Sequence, residues 1–164
     1  MQKGKGFLSM FMRVVKLGLC SFLFIILVAC GESVELTSYS GEKADRAAQL
    51  TLEYKEDMIA AVNDGNFNRL EPYLITNNSF YHSLRRYVSD SYDGKIQMKL
   101  LSFDVEEVWR DENSGLYVDA REIVEVTELG RSANEEALVR YELVNDGNGS
   151  FRIETIRDRS RLQE

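Results

Sequence analysis

Between Lys43 and Asp64 apolar side chains return at intervals of three and four: Ala47, Leu50, Tyr54, Met58 and Val62, widened by Leu52 and Ile59. That period belongs to a helix with one buried face, and "NDG" ends it with Gly65 as C-cap. "FNRLEPYL" predicts a brief second helix, kept short by Pro72, the only proline in the chain. In "NNSFYHSLRRYVSDSYDG", Asn78 or Ser79 caps a third helix, Phe80, Leu84, Tyr87 and Val88 face inward, and Asp93-Gly94 stops it.

Beyond Gly94 the period falls to two, which predicts strands. "MKLLSFDVEEVW" alternates through Leu101, Phe103 and Val105, then changes phase to Val108 across Glu106-Glu107, as a β-bulge would require. "LYVDAREIVEV" alternates through Leu116, Val118, Ala120, Val124 and Val126, and "ALVRYELV" through Ala137, Val139, Tyr141 and Leu143. After the turn "NDGNG", "SFRIETI" offers Phe151 and Ile153, with a second phase change before Ile156. An antiparallel sheet of about four strands with one apolar face needs a cover, and the helices supply it. The expected fold is α+β, with the N-terminal helices packed into a curved sheet.

The opening residues follow another rule. Lys3, Lys5, Arg13 and Lys16 precede the apolar run "LGLCSFLFIILVA", the outline of a secretory signal whose core is short of the roughly 20 residues a spanning helix needs. "LVAC" resembles the bacterial lipobox. That resemblance implies a signal peptide over residues 1–29, cleavage between Ala29 and Cys30, and a membrane anchor through lipid on Cys30 at the extracytoplasmic face. Two acyl chains hold a protein stably where one is marginal. An uncleaved helix reaching back to Phe7, with Arg13 and Lys16 snorkelling, is the alternative anchor. Residues 30–43 read as a flexible tether and 44–164 as one domain.

Composition narrows the chemistry. Cys20 leaves with the leader and Cys30 is capped, so the mature chain has no disulfide and no thiol nucleophile. His82 is the only histidine, which excludes a zinc site of Cys and His; no metal and no cofactor are expected. Losing the four basic leader residues, from 20 Lys and Arg against 27 Asp and Glu, leaves a net charge of about −11. Such a surface disfavours nucleic acid.

The arrangement of "FNRLEPYLITNNSFYHSLRRYV", "LLSFDVEEV" and the terminal "SFRIETIRD" over about residues 46–160 resembles the nuclear transport factor 2-like cone, and more narrowly the C-terminal domain of the TcaA (teicoplanin-resistance-associated) membrane proteins of Gram-positive bacteria. The resemblance implies a cell-envelope module without catalysis. It also implies a departure, since TcaA proteins place a zinc ribbon, a transmembrane helix and further domains ahead of this one.

Two groups stand out as candidates for chemistry. Glu122 has the parity of its apolar neighbours on "LYVDAREIVEV" and so aims into the interior, with Tyr141 or Tyr81 as hydrogen-bond partners. A carboxylate in a pocket can act as a general base; a bulge near Arg121-Glu122 or a structural partner would make it inert. If inert, Glu122→Gln is expected to change stability little or favourably. His82, Arg85 and Arg86 share the polar face of the third helix, either as a solvated face or as an anion patch for a cell-wall component or an envelope protein. Trp109 reads as sheet packing or a carbohydrate platform. Two functions follow: an envelope-facing binding module, or an acid/base enzyme working through Glu122.

Overall fold

The computed structural model describes residues 35–147 and 149–161. The expected signal peptide, residues 1–29, and Cys30 lie outside the described residues. Helix α1 (Glu42–Asp64) comes after a two-residue strand β1 (Thr37–Ser38). A 3-10 helix (Phe67–Tyr73) and helix α2 (Ser79–Asp93) follow, and then four long strands: β2 (Gln97–Arg110), β3 (Leu116–Glu128), β4 (Arg131–Asn145) and β5 (Phe151–Asp158). The sheet is an antiparallel meander in the order β1-β2-β3-β4-β5. No helix among the described residues is long and apolar enough to cross a membrane.

The helix ends obey local chemistry. Gly65 closes α1 in the left-handed region at φ 69°, and a Cβ there would stand 2.8 Å from the Tyr92 ring, so the position is closed to side chains twice over. Asn78 caps α2 by accepting from the Tyr81 amide at 2.7 Å. Its amide group also donates to the Glu154 carbonyl at 2.8 Å, which fastens the helix start to β5. Asn63, near the end of α1, exchanges two hydrogen bonds with the Met98 backbone, at 2.9 and 2.8 Å, and pins that helix to the free edge of β2. The connector after the 3-10 helix bridges Leu74 to Ile153 on β5.

Three bulges bend the sheet around the helices. The expected ones occur at Glu106 on β2 and at Glu154 on β5, where the register passes from Ile153 to Thr155. A third, at Leu101, was not legible in the strand pattern. It turns Leu101 outward, 43% exposed, and hands the inward positions to Met98, Leu100 and Phe103. Val105 keeps inward parity opposite Ala120 but is 39% exposed, because β1 pairs with β2 only at Trp109 and Arg110 and leaves that stretch an open edge. Ala137 is exposed for a related reason: β5 pairs with β4 only from Val139 onward.

Two further expectations are corrected. Residues 30–43 are not wholly tether, since Thr37–Ser38 pair with β2, the Tyr39 amide donates to the Val108 carbonyl at 2.8 Å, and α1 starts at Glu42. An open strand edge accepts any adjacent extended backbone, and here it takes its own N-terminal segment. On α2 the buried stripe runs Tyr81, Leu84, Val88 and Ser91; Tyr87 lies at its margin, 43% exposed, with Phe80 half-buried.

The core joins α1, α2 and the inner faces of β3 to β5 through Tyr54, Val62, Leu70, Val88, Val118, Tyr141 and Ile153. Phe103 packs against it from β2, its ring 6.1 Å from that of Tyr141. Phe103→Ala is therefore expected to cost about 3 kcal/mol and Leu101→Ala under about 0.5 kcal/mol. Urea unfolding of both variants checks this, and equal losses would mean that the Leu101 bulge is misplaced.

Candidate functional site

Glu122 stands on β3 between Ala120 and Val124, opposite Phe103 of β2 and Ala137 of β4, with no bulge on its own strand. Its parity is kept and the side chain points into the cone, 5% exposed. The alternation that places Val118 and Val124 in the interior must place Glu122 there too.

A carboxylate so enclosed is tolerable only if its oxygens are engaged. One oxygen accepts a very short hydrogen bond from the Tyr141 hydroxyl of β4. The other lies 2.5 Å from the Lys55 ammonium, 11% exposed on α1. Tyr54, one residue before Lys55, sets its ring edge-to-face on Tyr141 at 5.9 Å and edge-to-face on Tyr73 at 6.0 Å. Burial first, and the Glu122 charge second, hold the Tyr54 and Tyr141 hydroxyls well above the ordinary tyrosine value; for Tyr141 the hydrogen bond to Glu122 adds to this. Beside the cluster a cavity of about 100 Å³ opens between Met58, Tyr87, Met98 and Val126, with Lys55 and Glu122 in its wall. Ligand sites usually occupy about 300 to 1,000 Å³.

The other candidates are placed elsewhere. Tyr81 does not reach Glu122: its hydroxyl donates to Glu71 at 2.8 Å, which raises it above the ordinary value, and its ring meets Phe67 edge-on at 5.0 Å. The cause is the α2 stripe, which turns Tyr81 toward the 3-10 helix. His82, Arg85 and Arg86 are exposed on α2. The Arg85 guanidinium lies over the rings of Phe67 and Tyr81, at 5.2 and 5.8 Å, while Arg86 donates to Ser83 at 3.3 Å and His82 stacks its edge on Tyr81. Trp109 donates its indole N–H to Asp119 at 2.8 Å on the outer face of the sheet. Among the described residues no group of three or more His, Cys, Asp or Glu could hold a metal ion.

Two sets of residues escaped the sequence pattern. Lys55 had a signal: it lies four residues after Thr51, three before Met58 and seven before Val62, on the buried face of α1. Its long stem permits snorkelling, so position alone does not bury its charge. Asp119 is the second, 2% exposed on the outer face and held by Arg140 through bonds of 2.7 and 2.8 Å, by Trp109, and by Arg159 at 3.4 Å. Arg159 also pairs with Glu106 at 2.5 Å, so the C-terminal turn is strapped across β2 and β3. Asp119 and Arg140 are direct cross-strand neighbours, a pairing that only the register reveals.

The Lys55–Glu122 pair corrects the expectation for Glu122→Gln. Removing one partner of a buried pair strands the other charge, so Glu122→Gln should cost about 3 kcal/mol, while Lys55→Met with Glu122→Gln should recover most of it. Urea midpoints of the three proteins decide this, and an undisturbed single variant would show the pair to be energetically idle. The hydroxyls of Tyr73 and Tyr117 are pushed up to about 12, first by burial and then by Asp57 and Asp111, to which they donate. A folded value raised above the unfolded 10.0 gives stability that is full below pH 10.0 and lost as pH climbs toward 12. Tyrosinate absorbance and urea midpoints followed together should fall in that window, and tyrosines that all ionise near 10 in the folded protein would contradict it.

Comparison with known proteins agrees with the fold. An uncharacterized protein of Alkalihalophilus pseudofirmus is 49% identical over 144 residues, covering 87% of this chain and 94% of its own. Among solved structures, the intermembrane space region of the chloroplast protein ARC6 superposes with a TM-score of 0.60 at 12% identity, over 73% of this chain and 98% of that one. ActVI-ORFA from Streptomyces coelicolor does so with 0.51 at 13% identity, over 67% and 93%. At such identities these two share the fold alone. Residues 43–157, nearly all of the helix-and-sheet unit described above, match the TcaA protein NTF2-like domain, and the chain belongs to that family.

Proposed function

We propose that this protein is a binding module of the cell envelope, held at the extracytoplasmic face of the membrane by lipid on Cys30. The observation that carries the reading is the state of the cone interior. Glu122 is already engaged by Tyr141 and Lys55 of its own chain, and the space left beside it is about 100 Å³. A general base must reach the proton it removes, directly or through one water. With substrate-sized room missing, the interior serves as a scaffold and recognition falls to the surface and the rim. The rival reading, an acid/base enzyme using Glu122, requires a substrate where Met58, Tyr87 and Met98 now stand.

Support for the anchor comes from the sequence: a basic start, a short apolar run and "LVAC", in the order that lipoprotein processing uses. Membership of the TcaA family fits an envelope setting. Cys30→Ser is expected to accumulate a larger, unprocessed chain that takes up no labelled fatty acid, while the natural protein is shortened and labelled. Gel mobility and acyl labelling measure both, and equal labelling of the two forms would refute the lipid anchor.

A further inference from the structure

A larger cavity, about 430 Å³, opens at the opposite kind of place: the sheet end, where the β2–β3 turn meets the segment joining β1 to α1 and the start of β5. Leu116, Leu143 and Phe151, all buried, give it an apolar floor. Its size falls within the range of small-molecule sites.

The charges around this cleft are unevenly spent. Asp111 accepts from the Gly115 amide at 2.7 Å and from the Tyr117 hydroxyl at 3.0 Å, so it is occupied in shaping the turn. Glu142 is paired with Arg157. Lys43, Arg110 and Glu154 also line the cleft, and none of the three forms an ion pair among the described residues. Elsewhere on the sheet Arg121, Arg140, Arg157 and Arg159 are paired with carboxylates, while Lys99 and Arg131 form no ion pair among the described residues.

Arg110 is held ready. Its guanidinium lies 5.4 Å above the Tyr39 ring and donates to the Ser114 hydroxyl at 2.7 Å. Ser114 has φ 70°, a left-handed conformation that non-glycine residues seldom adopt. The turn is also tight, since a Cβ on Gly115 would come within 2.7 Å of Asp111. Ordering a guanidinium in advance removes part of the entropy cost of binding a carboxylate.

We infer that this cleft binds a small zwitterion, an amino acid or short peptide, with its carboxylate on Arg110 and Lys43, its ammonium on Glu154 and its side chain over Leu116, Leu143 and Phe151. A phosphate is a poorer match, because Asp111, Glu142 and Glu154 share the walls and repel a second negative charge. An anion that brings its own ammonium meets both signs. The assignment gives the binding-module reading a ligand class and rests on that reading for its biological role.

The test uses the full chain in nonionic detergent and the dipeptide Ala-Phe, followed by saturation-transfer NMR. Ala-Phe should bind with a Kd of about 1 mM, and its C-terminal amide and its N-acetyl form should each bind about tenfold more weakly. Arg110→Gln should abolish the preference for the free acid over the amide, and Glu154→Gln the preference for the free amine, with unchanged circular dichroism. Absence of binding at about 10 mM Ala-Phe, ten times that Kd, would overturn the inference. Equal binding of acid and amide to the natural chain would do the same, even if the variants failed to fold, and so would an Arg110→Gln protein that keeps the preference. Dipeptide binding in a protein that takes up no fatty acid on Cys30 would leave this site standing and remove only the anchor.

Discussion

One buried carboxylate ties the layers of this domain together. Glu122 extends from the middle of β3 and is met from β4 by Tyr141 and from α1 by Lys55, so one charged group connects a helix to two adjacent strands. Apolar packing is tolerant of sliding, whereas a buried, hydrogen-bonded charge has few acceptable positions. The pair thus fixes where α1 lies along the sheet, and Tyr54 transmits that position to Tyr141 and Tyr73 through ring edges. Replacing such a pair with apolar groups often leaves stability unchanged, so its contribution here lies in arrangement.

Curvature sets what the arrangement can hold. Bulges at Leu101, Glu106 and Glu154 bend the outer strands toward the helices, and the residues brought inward, Phe103 and Ile156 among them, fill the hollow. The outer face is closed by a charge lattice in which Asp119, Arg140, Arg159, Glu106 and Arg121 span β2 to β4 and the C-terminal turn. At the rim, Lys43, Arg110 and Glu154 form no ion pair among the described residues, and the β2–β3 turn holds Arg110 over Tyr39. The interior carboxylate, Glu122, is engaged by its own chain, while Lys43, Arg110 and Glu154 line an open cleft at the sheet end.

Much of this was written in local periodicity. The step from period three-to-four before Gly65 and Gly94 to period two after Gly94 determines three helices followed by strands, because each element must turn its apolar positions toward one core. Gly65, Asn78 and the phase changes at Glu106 and before Ile156 are equally local, since a cap or a bulge depends on a few neighbouring residues. The inward aim of Glu122 also follows from parity on its own strand. The bulge at Leu101 was hidden because "MKLLSF" offers apolar residues on both parities.

Tertiary structure alone decided the partners. Tyr141 and Tyr81 are equally plausible neighbours of Glu122 along the chain, and only the sheet register and the rotation of α2 separate them. Lys55 is 67 positions from Glu122 and carries a side chain that is as content in water as in a buried pair, so no local rule could assign it. The same holds for Asp119 with Arg140, and for the cleft that collects Tyr39 and Lys43, Arg110, and Glu154 from three separate segments. Sequence determined the elements and their faces because those depend on spacing along one chain; the charges found their counterparts only when packing set distances between distant segments.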